Sequence, residues 1–210
     1  MKTDDLIKAL AADSEHKGAP LTTAMVLAFG AAATVVIFAI WVGPRADIVS
    51  AMTTIRFPFK IFVVAALAIA SIGLLVRSGR PGAQLFPWLV PAILAVMLLG
   101  VGAAAELIAL PSSEWLANWK GTNRFICLVV IPSLAVVPLI AAIFGLRHGA
   151  PSNPPLAGAI AGLAAGTFAA TLYALNCDND SPLFVATWYP IAIGIVVAAG
   201  AIAGYRLLRW

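Results

Sequence analysis

The chain has 210 residues, of which 62% are hydrophobic and only 10% are charged, and its formal net charge is +4. Soluble domains of this size are much less apolar, so the composition indicates an integral membrane protein. The 13 Lys and Arg residues are spread over every loop, which favours signals for membrane orientation over a nucleic-acid-binding surface.

Uncharged stretches divide the chain into six segments. The gaps between successive charged or His residues that bound them hold 16 to 29 residues. A helix needs about 20 apolar residues to cross a bilayer core about 30 Å thick. Five gaps meet this requirement, and the sixth does if Phe57 and Phe59 join it and Lys60 extends its ammonium group to the lipid headgroups. The predicted fold is all-α, an integral membrane bundle with spans near 21–42, 57–76, 85–110, 125–146, 156–176 and 183–205.

The polar segment 1–20 forms a separate N-terminal unit before the membrane domain 21–210. Its mixed charges are unlike those of a cleavable signal peptide. As a helix it places Leu6, Ile7 and Leu10 on one stripe, with Asp4 and Asp5 in the first turn. Such a short helix is marginal alone in water. It either folds onto the bundle or membrane, or docks into the groove of a partner.

The distribution of basic residues predicts the orientation of the bundle. With six spans, eight Lys and Arg residues fall on the side of the two termini and five on the other side. The excess predicts that both termini are cytoplasmic.

Several residues within the spans have a predicted role. We interpret Glu106, four residues before Pro111, as a carboxylate at the membrane interface that reaches water. The loop after it forms a short interfacial helix if Trp115 and Trp119 share a face. Small residues recur every four positions in the fifth span, which lets another helix approach closely. This pattern favours packing inside the bundle and leaves open a homodimer through Gly158, Gly162 and Gly166.

The two cysteines occupy matched positions. Cys127 begins the fourth span and Cys177 ends the fifth, and an antiparallel hairpin places both at the outer end. We expect them to lie within disulfide range, which requires Cα atoms within about 7 Å. The alternative is two buried cysteines without a role. Asp178 and Asp180 add hard ligands beside Cys177, but two thiols and two acids predict a metal only weakly.

Enzyme motifs are missing from the sequence. It contains no phosphate-binding glycine loop, no histidine pair at metal spacing and no C-x-x-C. His16 and His148 fall in polar surroundings on the predicted cytoplasmic side. The sequence therefore predicts a protein that is not an enzyme and needs no cofactor.

The chain resembles the six-span bacterial anti-sigma proteins called negative regulators of sigma-F. The resemblance runs from end to end, through MKTDDLIKAL, WVGPRADI, CLVVIPSLAVVPL, LYALNCDNDSPLFVATWYPI and the ending RLLRW. It implies a multi-pass protein of the bacterial inner membrane whose N-terminus sequesters an extracytoplasmic-function sigma factor, without binding nucleic acid directly. By position, the resemblance assigns partner binding to Asp4, Asp5, Leu6 and Ile7, and the apolar stripe adds Leu10 to this set.

The resemblance also implies that Cys127 and Cys177 sense oxidant or metal stress. Relatives often carry histidine before the second cysteine, where this chain has Asn176. The difference disfavours direct metal ligation by the two cysteines more than it disfavours thiol redox chemistry. The alternative functions are a small transporter or channel, which would need polar residues near the midplane, and a membrane thiol redox protein, which would need a relay of cysteine pairs.

Overall fold

The computed structural model describes residues 18–80, 82–122, 124–149 and 151–208, with the backbone alone for residues 18–22. All regular secondary structure in these ranges is helical. The six long helices are α1 (Gly18–Trp41), α3 (Arg56–Ser78), α4 (Phe86–Ala109), α6 (Arg124–Arg147), α7 (Pro154–Ala174) and α8 (Pro182–Leu207). Two short helices, α2 (Ile48–Met52) and α5 (Ser112–Lys120), lie between them in the chain.

The six long helices are long and apolar enough to cross a membrane, which confirms the predicted all-α fold. Their ends fall within three residues of the predicted ones. The loop with Trp115 and Trp119 is helical as α5, whereas the sequence did not predict α2. We call the end of the bundle where α1, α4 and α7 end and α3, α6 and α8 begin the short-helix end, because α2 and α5 connect helices there.

Helix α7 occupies the centre of the bundle. It packs against α3, α6 and α8, while α1 packs mainly on α6, and α4 packs on α3 and α8. Most of α7 is buried, whereas α1 and α4 are the most exposed spans and present Phe29, Ile40 and Ile108 outward. The small side chains of α7 explain its central position, because Gly and Ala let neighbouring helices approach closely.

The glycine stripe of α7 packs against α8 of the same chain. A Cβ atom at Gly158 would overlap the carbonyl oxygen of Gly200, and one at Gly162 would overlap that of Val196. A Cβ atom at Gly166 would lie 3.3 Å from Ile193 and 3.4 Å from Val196, which is a tight contact. The glycines therefore pack inside the bundle, as the pattern favoured. Their face is covered by α8 and is not free to form the homodimer that the sequence left open.

Polar groups inside the spans are largely satisfied within their own helices. The buried hydroxyls of Thr34, Ser71 and Thr167 donate to carbonyl oxygens four residues earlier, at 2.8, 2.6 and 2.7 Å. Pro91, Pro132, Pro138 and Pro190 lie inside helices. Neighbouring groups in a bundle can satisfy the carbonyls that such prolines release.

Candidate functional site

Cys127 and Cys177 come together at the short-helix end. Cys127 lies in the first turn of α6, and Cys177 lies in the loop 175–181 between α7 and α8. Both are almost completely buried, within a core cluster that includes Tyr173, Phe184 and Tyr189. The topology explains the shared depth, because α6 begins and α7 ends at the same end of the bundle.

The two sulfurs are reduced thiols that interact with one another. Cys127 Sγ also lies 3.4 Å from the Tyr173 hydroxyl oxygen. Cys177 Sγ has a longer contact of 3.9 Å with the carbonyl oxygen of Asn179. The hydrogen bond from Cys127, followed by the positive charge of Lys60, lowers the pKa of the Cys177 thiol to about 6 despite its burial.

Lys60 is buried beneath the loop and does not extend to the headgroups. Its side chain is 1% exposed. Its ammonium group donates to the carbonyl oxygens of Cys177 at 2.8 Å and Asn179 at 3.4 Å, and it is paired with the Asp180 carboxylate. The expectation that Lys60 snorkels is wrong because these three acceptors replace water inside the bundle.

Arg45 holds the same loop from the other side. Its Nη1 atom lies 2.9 Å from Asp180 Oδ2 and 3.5 Å from the Cys177 carbonyl oxygen. Asp47 accepts two further bonds from this guanidinium, at 2.7 and 2.6 Å. The bonds with Asp47 raise the pKa of Arg45 and lower that of Asp47. Lys60 and Arg45 therefore both contact the Cys177 carbonyl oxygen and the Asp180 carboxylate of the loop 175–181.

Asn176 connects this loop to the end of α1. Its side-chain amide donates to the carbonyl oxygen of Gly43 at 2.9 Å, and the backbone N–H of Arg45 donates to Leu175 at 3.1 Å. In this chain the residue before the second cysteine therefore joins the loop to the end of α1 by a hydrogen bond.

Glu106 is buried, and the interpretation that it reaches water is wrong. Its side chain is 3% exposed. Oε2 accepts from the Ser181 hydroxyl at 2.7 Å and from the backbone N–H of Leu183 at 3.0 Å, and Arg56 lies 3.3 Å from Oε1. Glu106 therefore links α4 to the first turn of α8, where a negative charge is favourable.

A surface cleft of about 630 Å³ lies over the loop. Asp178, Asn179 and Asp180, the residues directly after Cys177, form part of its wall. The basic residues Arg56, Lys120 and Arg124 line it as well. The cleft brings solvent to within a few residues of the buried thiols.

The negative regulator of sigma F family matches residues 10–210 of the chain. The chain belongs to this family. Two relatives align over the full length of both chains: the probable anti-sigma-F factor NrsF of Azospira oryzae, at 34% identity, and the anti-sigma-F factor NrsF of Caulobacter vibrioides, at 31% identity. No solved structure gives a significant match.

For this member of the negative regulator of sigma F family, the sequence also predicted roles for the histidines and for a set of partner-binding residues. His148 is exposed at the opposite end, with Nδ1 3.0 Å from the Phe144 carbonyl oxygen. His16 lies outside the described residues. So do all the predicted partner-binding residues, which are Asp4, Asp5, Leu6, Ile7 and Leu10. Within the described ranges, no group of three or more His, Cys, Asp and Glu side chains is arranged to hold a metal.

Sequence reasoning missed Lys60, Tyr173 and Tyr189 as neighbours of the thiols. The chain has three tyrosines in all, and two of them meet at the cysteine pair, with ring centroids 6.3 Å apart. Tyr173 lies near the end of the fifth span and Tyr189 near the start of the sixth, and these positions in the sequence already indicated that both lie at the same end of the bundle as the cysteines.

Proposed function

We propose that the chain is a membrane-bound anti-sigma factor that releases its partner when the cysteine pair is modified. Full-length relatives named as anti-sigma-F factors support the regulatory role. The observation that carries the sensing role is the contact between two buried thiols at one end of the bundle. Oxidant or metal stress would act on this pair.

The partner in this proposal is an extracytoplasmic-function sigma factor, bound by the segment 1–20. Leu6, Ile7 and Leu10 would enter an apolar groove of the factor, and Asp4 and Asp5 would face its basic residues. Holding the factor at the membrane would keep it from RNA polymerase. The membrane helices, residues 21–210, would form the sensor domain.

The proposed location is the bacterial inner membrane with both termini cytoplasmic. The eight-to-five distribution of Lys and Arg supports this orientation. The short-helix end then faces the outer compartment, where oxidising conditions are common. In this orientation the docking segment would lie across about 30 Å of hydrocarbon from the thiols.

Coupling between the two ends would use the helices that frame the cysteines. A disulfide would tie the first turn of α6 to the end of α7, and both helices continue to the cytoplasmic side in this orientation. The required effect is small, since about 1.4 kcal/mol changes binding tenfold. Two packings of the bundle with different affinities for the partner would suffice.

The buried polar groups favour this function over a transporter. The buried charges Lys60 and Glu106 lie at the short-helix end, and the buried hydroxyls of Thr34, Ser71 and Thr167 bond to their own helices. A transporter would instead need polar groups that converge near the midplane.

The test uses a reporter gene controlled by the sigma factor in cells. Asp5→Ala combined with Leu6→Ala should switch the reporter on without stress, because the docking stripe and its charge are weakened. Asp13→Ala combined with Ser14→Ala is the matched control in the same tail and should leave repression unchanged. Replacing both cysteines by serine should preserve repression and blunt the response to oxidant. Full repression by the first variant would refute the anti-sigma mechanism, and a normal oxidant response without cysteines would refute the sensing role.

A further inference from the structure

The two thiols have different surroundings. Cys177 lies in the charged loop 175–181, directly before the residues of the cleft wall and within the field of Lys60. Cys127 lies deeper, completely buried, and its sulfur lies beside the Tyr173 hydroxyl. A thiolate is stabilised by nearby positive charge and by hydrogen-bond donors, so the negative charge of the pair belongs on Cys177.

Tyr189 is an unusual neighbour of this pair. Its side chain is 2% exposed, on α8. Its hydroxyl makes no hydrogen bond of ordinary geometry within the described part of the chain. The same hydroxyl faces the Cys177 sulfur closely enough to favour the thiolate. A buried hydroxyl without an acceptor is unfavourable, and a charged sulfur beside it would supply that acceptor.

We propose that Cys177 is the sulfur that attacks an oxidant, that Cys127 is the resolving thiol, and that the Tyr189 hydroxyl is a positioning group that donates to the Cys177 thiolate. This assignment rests on the proposed sensing function and gives its two cysteines separate tasks. Lys60 supports the same charge by electrostatic attraction and fixes the loop through the Cys177 carbonyl oxygen.

The chemistry takes two steps, with hydrogen peroxide as the two-electron oxidant. The Cys177 thiolate attacks one peroxide oxygen, the O–O bond breaks, and sulfenic acid and hydroxide form; the hydroxide takes up a proton to give water. Cys127 then attacks the Cys177 sulfur, the S–O bond breaks, and a disulfide and a second water form. The Cys127 proton leaves with that water.

The titratable and charged groups that face Cys177 come from every helix packed around it. They are Lys60 of α3, Cys127 of α6, Tyr173 of α7, Tyr189 of α8 and, towards its carbonyl oxygen, Arg45. Asp180 faces Lys60 and Arg45 and balances part of their charge. Of the two phenols, Tyr173 also contacts the Cys127 sulfur, whereas the Tyr189 hydroxyl has no other hydrogen-bond partner in the described part of the chain, which favours Tyr189 as the donor for Cys177.

The experiment measures each sulfur separately in the purified full-length protein in detergent. Iodoacetamide labelling at a series of pH values, read by peptide mass spectrometry, gives one titration for Cys177 and one for Cys127. We expect Cys177 to label with a midpoint near pH 6, at least about tenfold faster than Cys127 at neutral pH. Peroxide with dimedone should trap sulfenic acid on Cys177, in a Cys127→Ser variant that cannot resolve it.

Tyr189→Phe tests the positioning group. It removes one oxygen and should raise the Cys177 midpoint by about one pH unit. Because only the thiolate reacts, labelling below the midpoint should slow about tenfold, and disulfide formation should slow with it. Tyr205→Phe, on the same helix but at the opposite end, is the matched control and should leave the midpoint unchanged. Elution volume and helical circular dichroism report whether each variant is folded.

Three results would overturn the assignment: faster labelling at Cys127, equal labelling at both sulfurs, or an unchanged Cys177 midpoint in folded Tyr189→Phe. Failure of the sensing function gives a different pattern. In that case the labelling asymmetry and its Tyr189 dependence persist, which supports the site chemistry, while cells with both cysteines replaced by serine still respond to oxidant.

Discussion

At the scale of single residues, Lys60 is the buried charge that holds the loop carrying Cys177. Burying an ammonium group and a carboxylate is costly, and their attraction compensates only when further hydrogen bonds are made. Lys60 makes such bonds to two carbonyl oxygens of the loop in addition to Asp180. Removing one partner of a buried pair should therefore be more harmful than replacing both.

Lys60→Met should destabilise the protein by about 3 kcal/mol, which is the lower end of the range for breaking a buried ion pair. The lower value is expected because Arg45 still contacts Asp180 in the variant. Thermal unfolding in detergent, followed by circular dichroism, measures the loss. Lys120→Met, at an exposed position of α5, is the control and should change stability by less than about 0.5 kcal/mol. Adding Asp180→Asn to Lys60→Met should recover part of the loss. A Lys60→Met protein as stable as the control would contradict the structural role of Lys60.

Residue-level expectations failed where the partner is distant in sequence. Lys60 and Asp180 are 120 residues apart, and Glu106 and Ser181 are 75 apart. A single charge near a span end predicts an interfacial position by default, because the sequence does not show which loop will cover it. The matched depth of Cys127 and Cys177 followed from topology alone. Their contact also depends on how α6 and α7 are rotated, which packing decides.

At the scale of helices, the pair α7 and α8 forms the closest contact in the bundle. Gly158 and Gly162 of α7 meet Gly200 and Gly204 of α8 with backbone atoms in direct contact. Such a contact relies on packing and on weak backbone interactions, because lipid tails are as apolar as the helices themselves. It also fixes Tyr189 against the thiols, since Tyr189 lies on the same helix as Gly200.

Gly158→Ala should weaken this contact because the added methyl group overlaps backbone atoms that cannot rotate away. Overpacking of this kind costs about 1–3 kcal/mol. Gly194→Ala is the matched control on α8, since a Cβ there meets nothing within 4 Å, and it should be neutral or stabilising by up to about 1 kcal/mol. Unfolding in detergent distinguishes the two. Equal stability of both variants would show that the helices separate at little cost.

The helices themselves could be predicted well from the sequence. Charged residues bracket each apolar stretch, and the bilayer thickness sets the length of helix needed, so the boundaries follow closely. Helix α2 has five residues and no distinctive pattern, which is why it was missed. The four-residue glycine spacing predicted close packing, but only the three-dimensional arrangement shows that α8 is the partner.

At the scale of the whole molecule, charge is distributed unevenly between the two ends. Every acidic residue in the described ranges lies at the short-helix end: Asp47, Glu106, Glu114, Asp178 and Asp180. The opposite end carries Arg77, Arg80, Arg147 and Arg206, with no acid in the same ranges. In the full sequence the side of the two termini has eight Lys and Arg residues against five, an excess that is typical of the cytoplasmic side of an inner-membrane protein. The thiol pair would accordingly face the outer compartment.

Reporter fusions test this orientation. Alkaline phosphatase, which is active only outside the cytoplasm, should be inactive when fused after Trp210 and active when fused at Ser113, at the start of α5. A fluorescent protein that matures only in the cytoplasm is the complementary control and should give the opposite pattern. The reverse result would place α5 and the thiols in the reducing cytoplasm, where disulfides are rare. It would also move the docking segment away from the sigma factor. The orientation therefore decides whether one end of this bundle can meet an external oxidant while the other holds a transcription factor.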